Sequence, residues 1–176
     1  MQINLAFFYY ITDKLTMIQA ITETSFDIYV QTEDNRIDTS VASTQIRHLV
    51  KFTNDLDKSV QYAYGVTEII KDRFTFIAIN YNAVPDIYVG RTKLFPAGYW
   101  KYEVYEVSWT GTVTVSLGNA PATEDDVLTP PSGAKGIVQG LVTKGKMNLS
   151  EKDGTEQVQY TQRQEPSGTN YIYYGQ

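Results

Sequence analysis

The chain has 176 residues, with 15 Lys and Arg against 20 Asp and Glu and a formal net charge of −5. That acidic balance argues against a general nucleic-acid binder, whose phosphate contacts need a basic surface. The absence of Cys removes disulfides, thiolate metal centres, iron–sulfur clusters and Cys nucleophiles together.

Residues 1–16, MQINLAFFYYITDKLT, read as an N-terminal extension or peripheral strand. The apolar run Leu5–Ile11 is too short to span a bilayer, and neither a basic leader nor a small-residue cleavage site flanks it, so no membrane segment or signal peptide is expected. A first strand of the same domain, a docking arm and a start codon placed before Met17 all fit this stretch. From Met17 onward, period-2 alternation dominates. Phe26, Ile28 and Val30 alternate with Asp27, Tyr29 and Gln31. Ile46, His48, Val50 and Phe52 alternate with Arg47, Leu49 and Lys51. The stretch 55–72 has room for a short helix, VTEIIKDR being two turns. In the next strand Phe74, Phe76 and Ala78 alternate with Thr75, Ile77 and Ile79, apolar on both sides as in a central strand covered on both faces.

Residues 94–109, LFPAGYWKYEVYEVSW, hold six aromatic side chains in sixteen positions. Trp100, Tyr102 and Val104 share one face of this predicted strand, and Tyr99, Lys101, Glu103 and Tyr105 share the other. Lys101 and Glu103 must reach water, so Trp100 and Tyr102 belong to the core. Val113, Val115 and Leu117 suggest a further strand, and 118–135, rich in Gly, Pro, Asp and Glu, a linker or long loop. GIVQGLVTKGKMNL then reads as two strands with a turn near Lys144–Gly145. The polar, Gln-rich residues 148–176 cannot form a core alone. They must add strands to the preceding domain, lie across a neighbour or be partly disordered.

Turn-forming clusters, among them TEDN, NDLD, PAG, TPPSG and EKDG, separate these strands. The expectation is an all-β chain: an antiparallel β-sandwich, Ig-like or jelly-roll-like, over 17–147, with extended segments at 1–16 and 148–176.

Catalytic chemistry finds few candidates. The one His, His48, falls between Ile46 and Val50 on the apolar face of a strand and reads as structural. Nucleophile elbows, P-loops and dinucleotide fingerprints do not occur. Glu103 and Glu106 lie on opposite faces of one strand, which defeats a glycosidase pair. Glu124, Asp125 and Asp126 read as a solvated loop, and Asn54, Asp55 and Asp57 as an Asx turn, lacking the Gly and distal Glu of an EF-hand. Lys135, Lys144 and Lys146 lack the interleaved aromatics of a nucleic-acid site. No enzymatic activity, metal or cofactor is expected. The surplus rings, Tyr99, Tyr105 and Trp109 with Tyr171 and Tyr173, are the candidate interaction residues. They suit a protein interface, where Tyr and Trp are enriched, or else a saccharide-stacking platform of a carbohydrate-binding or adhesin-like module.

Two resemblances follow from particular residues. Leu94, the Pro96–Ala97–Gly98 turn and Trp100 resemble the E–F corner of immunoglobulin-like and fibronectin type III sandwiches, with Trp where Tyr is usual. The order MIQAITETSFDIYVQT, HLVKFTNDLDKSVQYAYG, RFTFIAI, KLFPAGYWKYEVYEVS, GLVTKGKMNL and TNYIYYGQ resembles small structural proteins of tailed bacteriophages, marine and Bacteroidetes-infecting ones especially, over residues 17–176. The resemblance implies a virion component assembled in the host cytoplasm: a head decoration, minor capsid, neck or tail-associated protein. It also implies other virion proteins and further copies of the chain as partners, with no membrane or nucleic-acid role.

Overall fold

A computed structural model of the chain describes residues 17–153. Nine strands follow one another among them: β1 (Ile18–Ile21), β2 (Phe26–Val30), β3 (Ile46–Asn54), β4 (Val60–Tyr64), β5 (Thr67–Lys71), β6 (Phe74–Tyr81), β7 (Arg91–Thr92), β8 (Gly98–Ser108) and β9 (Ile137–Ser150). They form two sheets. The larger has the order β1-β9-β8-β3-β4; the smaller has the order β2-β6-β5, with β7 added beside β6. The chain is a β-sandwich, as the alternation predicts.

The period-2 pattern determines what lies between the sheets. Val50 and Phe52 of β3, Trp100, Tyr102 and Val104 of β8, and Met147 and Leu149 of β9 point inward from the large sheet. Ile28 and Val30 of β2 and Ile77 and Ile79 of β6 meet them from the small one. Phe26 and Phe52 touch edge to face across the layers, centroids 5.9 Å apart. The turn before β8 is held from both sides. Leu94 and Trp100 are both buried, and the Trp100 indole N–H donates to the Pro96 carbonyl at 3.1 Å.

Three expectations are corrected. The 55–72 stretch holds no helix: VTEIIKDR supplies β5, whose Ile69 and Ile70 alternate across the small sheet opposite Phe76 and Thr75. Val113 and Val115 do not form a strand; they lie in the long 109–136 connection and pack on the outer face of the large sheet. The hairpin expected at Lys144–Gly145 is one continuous strand of 14 residues. Gly145 is the register partner of Tyr102, and a Cβ there would stand 2.6 Å from that ring, so the glycine makes room for an aromatic rather than turning the chain. β9 ends at Ser150, with Leu149 in the core, so the first residues from 148 add to the sheet of the preceding segment.

Candidate interaction surface

The two sheets have outer faces of opposite character. On the large sheet, Leu49, Tyr64 and Val107 project outward and are apolar. The 109–136 connection folds back over them. Trp109 and Ala120 are buried there, with Val113 and Val115 half-buried against them, and the Trp109 indole N–H donates to the Asn119 carbonyl at 3.3 Å. Gly136 lies against this ring, where a Cβ would come within 2.6 Å of it. The Tyr64 hydroxyl donates to the Pro121 carbonyl at 2.7 Å, and its ring stacks on Tyr88.

A polar clasp holds the same connection. The Lys51 ammonium bonds Glu124, and the Tyr62 hydroxyl donates to the other Glu124 oxygen at 2.5 Å. Glu103 lies 3.8 Å from the same ammonium. The hydrogen bond to Glu124 holds the Lys51 ammonium well above its ordinary value. Burial and the bond to Glu124 push the Tyr62 phenol up to about 12. Burial works to raise Glu124, but the bonds from Lys51 and Tyr62 outweigh it and hold this carboxylate below its ordinary range. Glu124 is therefore a tether and not the solvated loop residue its setting suggests. Asp126 turns the same loop by accepting from the Ala122 and Thr123 amides.

Polar groups inside one end of the sandwich are likewise committed to the fold. His48 and Glu68 are buried side chains that join β3 to β5, Nδ1 to Oε1 at 2.6 Å. Glu106, the register partner of His48, accepts the Ile37 and Asp38 amides at 3.0 and 2.7 Å. Hydrogen bonds from Ser40 and Ser108 hold the Asp38 carboxyl below its ordinary value. Asn54 closes the expected Asx turn by accepting from the Leu56 and Asp57 amides. Among the described residues no three His, Cys, Asp or Glu side chains gather as a metal site, and no helix is long and apolar enough to cross a membrane.

The outer face of the small sheet has no such cover among the described residues. Register places Tyr29, Phe76 and Ile69 in one row across β2, β6 and β5, with Phe74 beside Lys71 in the next row and Asp27, Ala78 and Thr67 in the row before. The Tyr29 ring meets Phe76 at 5.2 Å and Phe74 at 6.2 Å. Tyr29 stands 62% exposed, and Phe74 and Ile69 more than 40%, so three clustered rings and an Ile face outward together. The double apolar alternation of residues 74–79 carries the signal in the sequence, but it suggests a strand covered on both faces. Among the described residues the outward face is instead bare, because their one long covering loop lies on the other sheet.

The residues chosen from sequence do not come together. Tyr99 is 60% exposed at the sandwich end near Phe95 and Leu56, which are also exposed. Tyr105 shares its parity six residues on, roughly 20 Å along the strand, half-covered and donating to Glu103 at 3.4 Å. Trp109, expected at the surface, is interior because the loop that follows it closes over it. These three rings therefore form no saccharide-stacking row. Tyr171 and Tyr173 lie outside the described residues.

No family model matches the chain, and no curated protein does. Among solved structures, a putative glycoside hydrolase from Bacteroides vulgatus ATCC 8482 aligns with 78% of this chain at 11% identity and a TM-score of 0.36. The match spans only 17% of that chain.

Proposed function

We propose that the protein is a structural component of a tailed-phage virion, working through protein–protein contacts and not through catalysis. The observation that carries the reading is the aromatic face of β2-β6-β5, uncovered among the described residues and built around Tyr29, Phe74, Phe76 and Ile69. Aromatic side chains of this kind are enriched at the buried centres of interfaces. The polar groups that could have formed a site are instead engaged in the fold: His48 and Glu68 bond each other, Glu106 accepts two backbone amides, and Glu124 is held by Lys51 and Tyr62. The phage resemblance of the strand order and of the GYWKYEVYE run supplies the setting: a head decoration, minor capsid, neck or tail-associated protein assembled in the host cytoplasm beside other virion proteins.

The test is mass spectrometry of particles purified at virion density from cultures carrying the gene. Peptides of this chain should appear at a fixed stoichiometry to the major capsid protein. Recovery only from the soluble fraction overturns the proposal.

A further inference from the structure

We infer that the partner seated on the β2-β6-β5 face is a second copy of this chain, packed face to face about a two-fold axis with the strands of the two sheets crossing near a right angle. This rests on the proposed contact function of that face and names its occupant.

The argument is one of shape and charge. The patch is a small rectangle with the rings of Tyr29, Phe76 and Phe74 at its middle and one edge. Asp27 stands at one corner, on β2 in the row of Ala78. Lys71 stands at the diagonally opposite corner, on β5 in the row of Phe74. Both are exposed, and neither forms an ion pair with another described residue. A two-fold contact is isologous: where one residue meets a second on the partner, the second meets the first in return. If the axis ran along or across the strands, Asp27 would face Thr67 or the Gln31 end of β2 in the other copy. Only an axis along the other diagonal of the rectangle brings Asp27 over the partner's Lys71, and it does so twice. That axis turns one sheet about 90° on the other, which is one of the two ways sheets pack face to face. The rings then meet at the centre, and the two charge pairs close opposite corners.

The extent of the face sets the strength. Three strands about 4.8 Å apart and five residues long, at about 3.4 Å per residue, give a footprint of roughly 14 by 17 Å. That is well short of the roughly 800 Å² per partner found in stable complexes. The contact is therefore weak and concentration-dependent. Many copies held close together on a particle would engage it, whereas dilute chains would not.

Sedimentation equilibrium and light scattering of the full chain, from micromolar to about 1 mM, test the inference. The expected result is a monomer–dimer equilibrium in low salt. Tyr29→Ser should weaken it at least tenfold. Asp27→Lys and Lys71→Asp should each weaken it several-fold. Combining those two exchanges should restore it, because opposite charges then meet again across the axis with their signs reversed. All three substituted positions are exposed on the outer face, and matching circular dichroism of the variants guards against loss of fold. A chain that remains monomeric throughout overturns the inference, as does a dimer indifferent to all these changes or a double exchange no better than either single one. Dimerisation that appears only once residues 1–16 are removed also overturns it, because that segment would then be the occupant. None of these outcomes bears on whether the chain is found in particles, so the two proposals fail separately.

Discussion

The two outer sheet faces solve one problem in different ways. Each is apolar: Leu49, Tyr64 and Val107 on the large sheet, Tyr29, Phe74, Phe76 and Ile69 on the small one. The large sheet receives a cover from its own chain, the 109–136 connection with Trp109 inserted beneath it and Glu124 clasped by Lys51 and Tyr62. The small sheet receives none from the described residues. An apolar sheet face that its own chain covers adds to the stability of the monomer. One left open adds nothing until another surface arrives. On the proposed reading, the contrast separates a face that serves folding from one that serves assembly.

Substitution should expose that separation most strongly at the covered face. Trp109→Ala removes a fully buried indole and its bond to Asn119, and should cost about 3–5 kcal/mol in urea unfolding. If the loss is below about 1 kcal/mol, the connection is not a true second core. Glu124→Gln sharpens the same point at a smaller scale. The Lys51 and Glu124 side chains are each less than one-fifth exposed, so the variant should lose about 1–2 kcal/mol at neutral pH.

The clasp also has a pH signature. The folded Glu124 carboxyl titrates below its ordinary value of 4.5. Its contribution is therefore complete above that value and lost as pH falls through the lower, folded-state value. The stability gap between wild type and Glu124→Gln should narrow from pH 7 to pH 3, as followed by urea midpoints. A gap constant over that range would mean that the carboxylate charge does not hold the loop. The smallest effect on folding belongs to the open face. Tyr29→Ser should leave the unfolding free energy within about 0.5 kcal/mol while altering self-association. A large loss there would show that the ring supports its own subunit.

How much of this the sequence reveals depends on whether parity or tertiary choice decides. Parity alone assigns Trp100, Tyr102 and Val104 inward and separates Glu103 from Glu106, because a strand has only two faces. The Asn54 turn and the structural role of His48 follow from equally local chemistry. The rest is not local. Trp109 looks like a surface ring until the loop after it is seen to fold back. Glu124 looks solvated because its partners Lys51 and Tyr62 stand more than sixty positions earlier. Phe74 and Phe76 read as covered because alternation shows that both faces of a strand are apolar without showing what covers them. Gly145 passes for a turn residue because its reason, the Tyr102 ring, lies on the neighbouring strand.

β1 pairs with β9 in parallel, Ile18 to Ile21 against Met147 to Ser150. The chain thus enters this sheet edge at one end of the ladder and leaves it at the other. Tension applied through Met17 and Asp153 would slide the two strands lengthwise past each other, loading their hydrogen bonds together instead of peeling them open one at a time. A domain tethered through those two points would resist stretching in the direction along which its own edge is stapled.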